Sequence, residues 1–79
     1  MTVRELWLIT SFTGFWQFYE NQDENQTTIS SHEMIKVMMD SDHEKHWLSE
    51  SEIKYFDVMP HPYTKNELVM WVCYKKEGE

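Results

Sequence analysis

A single cysteine, Cys73, occurs in the 79 residues, so no disulfide can close within the chain and no cysteine-rich zinc module can form. Glycine and proline are almost as scarce, with two of each. So few glycines exclude a phosphate-cradling glycine-rich loop. No run approaches the roughly 20 apolar residues of a membrane span. The opening MTVRELWLIT has Arg4 but then Glu5, and no small-residue cleavage site follows, so it does not read as a signal peptide. There are no repeats, linkers or low-complexity tracts, and the length fits a single domain over residues 1–79. One thiol beside six methionines suits a reducing, cytoplasmic setting.

Positive charge is also in short supply. Fourteen acids face seven bases, a formal net charge of −7. The imbalance is local. Residues 1–19 and 58–79 each sum to zero, whereas residues 20–57 hold ten acids against Lys36, Lys45 and Lys54. Direct nucleic-acid binding needs a basic footprint and is not expected. A basic partner suits this charge better.

Aromatic residues are plentiful: four Trp, four Tyr and four Phe. Each buries on the order of 150–250 Å² when enclosed. A chain this short buries only about 60% of its unfolded surface. Rings left outside that thin core are expected to mark a contact site or a dimer face.

Periodicity divides the chain into six elements. Thr2 and Glu5 form a capping box ahead of VRELWLI, predicting a short helix with Leu6, Ile9 and Trp7 inward. Gly14 stops it from running far past Phe12. GFWQFYE alternates as a strand, with Phe15, Gln17 and Tyr19 on one face and Trp16, Phe18 and Glu20 on the other. A polar turn at residues 21–25 leads to the β-branched QTTIS, which completes a hairpin. Ser30 and Glu33 suggest a second capping box, and Met34, Ile35, Met38 and Met39 the apolar face of a second helix, weakened at Asp40. Residues 52–59 alternate. Residues 67–75 are an apolar run suited to a central strand covered on both faces. The expected fold is α+β, in the order α-β-β-α-β-β: an antiparallel sheet of about four strands with one or two helices on one side.

The stretch DSDHEKHWLSESE, residues 40–52, holds five acids, two histidines and a tryptophan. A metal site is one reading. His43 and His46 are three apart, so on a helix both imidazoles face one ion, but they supply only half of a tetrahedral shell. His32-Glu33 lacks the second histidine of a metalloprotease motif. No metal or other cofactor is therefore expected. Catalysis is a second reading. Ser41, Ser49 and Ser51 lie near histidines, yet no nucleophile elbow surrounds them. Acids interleaved with Ser, Lys and His suggest exposure rather than the burial that tunes a catalytic pair.

The third reading is a recognition surface. In extended chain Glu50 and Glu52 project to one side, about 6.6–6.8 Å apart, of the same order as successive phosphates along a DNA strand. Asp40, Asp42 and Glu44 repeat that spacing. Glu20, Asp23 and Glu24 are expected to add a further cluster from the first hairpin. Such rows steer a small domain toward a basic groove, with Trp47 as an anchor. The plain counterpart is a solvated face that keeps the protein soluble, with Trp47 and Leu48 plugging the core.

The start Met1-Thr2-Val3-Arg4-Glu5-Leu6 is similar to that of many short proteins from phages and prophages of Gram-positive bacteria, whose outline also includes a closing strand pair. The resemblance implies a mobile-element protein acting in a bacterial cytoplasm. Among small acidic phage proteins, inhibitors of host defence nucleases, anti-CRISPR proteins included, are a known theme, and several of them resemble nucleic acid electrostatically. The expectation is thus a non-catalytic inhibitor that occupies a basic, nucleic-acid-binding surface of a host protein, either as a monomer or as a homodimer. The alternatives are a structural or assembly protein that homodimerises through surplus aromatics or an open sheet edge, and a metal-binding module built on His43 and His46.

Overall fold

The computed structural model describes residues 1–20, 26–64 and 66–75. Helix α1 (Val3–Ile9) opens on the expected capping box. The Thr2 hydroxyl accepts the Glu5 N–H at 3.2 Å, and Glu5 Oε1 accepts the Thr2 N–H at 2.9 Å. These two bonds hold the Glu5 carboxyl below its usual range. Thr10 ends the helix, its N–H and hydroxyl both donating to Leu6 O. Val3 and Leu6 are buried and Trp7 half-buried, but Ile9, expected inside, is 70% exposed. At 100° per residue Ile9 has turned roughly 120° away from Val3, off the inward stripe.

Strand β1 (Phe15–Tyr19) alternates as expected, with Trp16 and Phe18 buried. It pairs antiparallel with β2 (Thr27–Ile29), matching Trp16 to Ile29 and Phe18 to Thr27. The predicted turn at 21–25 lies outside the described residues. Helix α2 (Ser31–Met39) begins where Ser30 caps it by accepting the Glu33 N–H at 3.2 Å. It ends at Asp40, where Asp and Ser compete poorly for helical positions. Its buried stripe is Met34, Val37 and Met38, at i, i+3 and i+4. Ile35 and Met39, expected on that face, are 52% and 69% exposed. They sit roughly 100° and 140° around from Met34, too far to share its stripe.

A one-and-a-half-turn 3-10 helix (His46–Glu50) follows, then the hairpin of β3 (Ile53–Pro60) and β4 (Leu68–Tyr74). The sheet order is β2-β1-β4-β3. The class and element order are those expected, with one difference in direction: the central β1–β4 pair runs parallel, so the sheet is mixed. The cause is topological. Each hairpin is antiparallel, and the segment containing α2 carries the chain from edge strand β2 across to the other edge at β3. Parallel neighbours require such a long crossover.

Directly paired residues share a sheet face. Trp16, Phe18, Ile29, Met70, Val72 and Tyr74 form the covered face, packed with Val3 and Leu6 of α1, Met34, Val37 and Met38 of α2, and Leu48. The helices therefore lie together on one side. On the opposite face three cross-strand rows stand open: Tyr19–Cys73–Tyr55, then Thr28–Gln17–Trp71–Asp57, then Phe15–Val69–Met59. Central β4 is buried on both faces, as its apolar run suggests. On the open face, however, flanking side chains provide the cover instead of a second layer.

Candidate interaction surfaces

Residues 40–52 join α2 to β3 in a chain of short-range hydrogen bonds. Asp40 Oδ1 accepts the Asp42 N–H at 3.0 Å, and Asp40 O accepts the His43 N–H at 3.1 Å. Further N–H groups donate in turn: His46 to His43 O, Leu48 to Lys45 O, and Ser51 to Leu48 O. Leu48 and Ser49 are buried and anchor the segment to the helix-bearing side. A side chain adds a second anchor: His46 Nδ1 donates to Val37 O of α2 at 2.8 Å.

With these anchors inward, Asp40, Asp42, Glu44 and Glu50 are exposed. Glu52 is exposed too, but its Oε2 lies 3.1 Å from the Met1 amino nitrogen, and its residue bridges to Thr2. The extended spacing predicted for Glu50 and Glu52, and repeated at Asp40, Asp42 and Glu44, is not what the backbone adopts, because residues 41–45 run through turns and Glu50 closes the 3-10 helix. Trp47 is 53% exposed, its ring edge-on to Tyr74 at 5.6 Å. One side of the indole is thus held by the fold and the rest faces solvent.

Glu20 is placed differently. It is half-buried beyond the end of β1 and accepts the Tyr74 hydroxyl at 3.0 Å through Oε1. Its carbonyl accepts from Cys73 Sγ at 3.4 Å. Asp23 and Glu24 lie outside the described residues.

The two histidines in this stretch have local duties. His43 Nδ1 accepts the Lys45 N–H at 3.0 Å, and its Nε2 is 3.9 Å from Glu33 Oε1. With His46 Nδ1 committed to Val37, the pair does not converge as ligands, and no group of three His, Cys, Asp or Glu gathers among the described residues. The serines also donate locally: Ser49 Oγ to His46 O at 2.7 Å, and Ser51 Oγ to Trp47 O at 3.1 Å.

A second surface escaped the sequence reading. Tyr19, Gln26, Tyr55, Asp57, Met59 and Trp71 line a groove of about 350 Å³ on the open sheet face. The Tyr19 ring meets Tyr55 at 6.3 Å and Trp71 at 5.9 Å, both edge-to-face. Burial, then the Tyr55 hydroxyl, push the Tyr19 phenol up to about 12, so it stays neutral. Gln17 fixes the polar row, accepting from the Thr28 hydroxyl and donating from Nε2 to Gln26 Oε1 at 3.3 Å. The groove's parity signal lay in the sequence, since these residues alternate along their strands. What was missing was the register that brings them side by side.

Another hollow, of about 500 Å³, lies between residues 11–15, the start of α2 and residues 66–68. His32 and Glu67 are its titratable lining residues among those described.

No helix among the described residues is long and apolar enough to cross a membrane. No protein-family model matches the chain, and no curated protein or solved structure matches it.

Proposed function

We propose that this protein is a non-catalytic acidic binding module that occupies a basic, nucleic-acid-binding surface of a partner protein. A host defence nuclease met by a phage or mobile-element inhibitor in the bacterial cytoplasm is the kind of target intended. One observation carries the reading: Asp40, Asp42, Glu44 and Glu50 are all exposed on a segment that Leu48, Ser49 and the His46–Val37 bond pin to the core. Pinning matters because a preordered set of charges loses less entropy on docking than a floppy one. These charges draw a cationic counterpart in from a distance, and salt weakens the attraction. Trp47 supplies a ring already braced on Tyr74 for the centre of the contact. Glu52 lies beside these charges. Glu20 contributes structure through Tyr74 rather than free charge.

The test is capture of the partner from bacterial lysate at low and high salt, using the wild type and a variant with Asp40, Asp42, Glu44, Glu50 and Glu52 neutralised. The reading expects a nucleic-acid-binding protein that is released by salt, displaced by added nucleic acid and lost with the variant. Capture that withstands both salt and neutralisation overturns it.

Homodimerisation is a second reading, favoured by β3. Tyr55, Phe56, Val58 and Met59 are all exposed, and they point to both faces of that edge strand. Sedimentation across a concentration series tests it: a dimer supports it, and a monomer throughout refutes it.

A further inference from the structure

The groove on the open face has a lining of one kind. Three rings, a thioether, an amide and one carboxylate line it, and no basic side chain does among the described residues. Aromatic faces are negative at the centre and attract cations. Asp57 stands directly across from Trp71 in the β3–β4 register, which sets a full negative charge beside the largest ring. Its Oδ1 accepts the Val58 N–H at 2.9 Å, holding the carboxylate at the groove's outer rim. Burial, then the Tyr55 hydroxyl, push the Tyr19 phenol up to about 12, and Asp57 is the carboxylate among the described lining residues.

The end of the neighbouring strand edge is closed to another kind of visitor. His61 N–H donates to Glu67 O, so His61 faces β4. Alternation then turns Pro60 and Val58 outward. Pro60 has no N–H to offer, and the Val58 N–H is taken by Asp57. A strand added at residues 58–60 finds its donors missing, which is how natural sheets blunt an edge. The side-chain face, rather than the backbone edge, is left to recognise a ligand.

We propose that this groove is a second docking site, which takes an arginine side chain of a partner protein between Trp71 and Tyr55, its guanidinium paired with Asp57. Arginine fits better than lysine, because a planar guanidinium stacks on a ring and forks onto a carboxylate at once. A second copy of this chain is a poor source. Arg4 is its one arginine, and that guanidinium donates to Met38 O at 2.7 Å within its own fold. The site is independent of residues 40–52, which are anchored on the helix-bearing side of the sheet.

The experiment is an NMR titration with N-acetyl-arginine-N-methylamide, with the neutral citrulline analogue as control. The expected result is saturable shifts at the Trp71 indole N–H and the Tyr19 and Tyr55 rings, with none from the citrulline analogue. Asp57→Asn is expected to weaken binding roughly tenfold, and Tyr55→Leu about fivefold. Both side chains are exposed, so the fold is not at stake. The variant neutralised at Asp40, Asp42, Glu44, Glu50 and Glu52 is expected to bind the probe as the wild type does. Equal binding of the citrulline analogue, an unchanged Asp57→Asn titration, or shifts confined to residues 40–52 overturns the proposal. So does sedimentation showing that a second copy already covers the groove.

Discussion

The Tyr74 hydroxyl donates to Glu20 Oε1 at 3.0 Å, joining the last residue of the central strand to the residue just beyond β1. Tyr74 is 4% exposed and belongs to the core, while its ring also braces Trp47. A single tyrosine thus connects one acid from the first hairpin with the ring at the middle of the acidic segment.

That connection makes Tyr74→Phe informative. The variant keeps the ring and loses the hydrogen bond to a charged acceptor, worth about 1.5–3 kcal/mol at most and less here because Glu20 is only half-buried. A loss of about 1 kcal/mol in denaturant unfolding is expected, with little change in the Trp47 environment by fluorescence. A loss well above that would mean the ring itself had shifted.

Alkaline pH reads the same residue. Burial, then the Glu20 hydrogen bond, raise the Tyr74 phenol to about 12, and burial with the Tyr55 hydroxyl raises Tyr19 to about 12. A raised pKa means that the fold favours the protonated phenol. That stabilisation is complete below the unfolded phenol's pKa, near 10, and is lost as pH climbs through about 12. Unfolding midpoints should therefore fall between these two values, and tyrosinate absorbance should appear late for Tyr19 and Tyr74. Tyr19 and Tyr74 titrating at the ordinary value would refute the placement of both rings.

His46→Ala tests the anchor of the acidic segment. It removes the 2.8 Å bond to Val37 O and leaves that carbonyl without this donor. A destabilisation of about 1–2 kcal/mol is expected, with faster amide exchange over residues 46–51. Unchanged exchange there would show that Leu48 alone holds the segment.

Gly14→Ala probes the entry to β1. A β-carbon at Gly14 would lie 2.3 Å from Leu68 O and 2.6 Å from the Phe12 ring. The backbone oxygen belongs to the paired strand and cannot swing aside. Overpacking of this kind costs about 1–3 kcal/mol, read as a lower thermal midpoint. A variant as stable as the wild type would mean that residues 11–14 are free to move.

Most elements could be read from the sequence because each carried a local signal. Thr2 with Glu5 and Ser30 with Glu33 marked helix starts, and alternation in residues 15–19 marked β1. Helix faces were harder. Ile9, Ile35 and Met39 are apolar but fall outside the stripes fixed by Val3–Leu6 and Met34–Val37–Met38. The parallel β1–β4 pairing was invisible, since a strand's pattern does not say which way its neighbour runs. The acids of residues 40–52 were found by composition alone. The 3-10 turn that redirects Glu50, and the Tyr74 bond that occupies Glu20, depend on tertiary packing. The groove at Trp71 needed the register of three strands before Tyr19, Tyr55 and Asp57 could be seen as neighbours.

The most direct measurement is the salt dependence of affinity for the captured partner, compared between the wild type and the variant neutralised at Asp40, Asp42, Glu44, Glu50 and Glu52. A steep fall in affinity with added salt, flattened and weakened by neutralisation, is the predicted result. Equal affinities and equal slopes for the two proteins would contradict it.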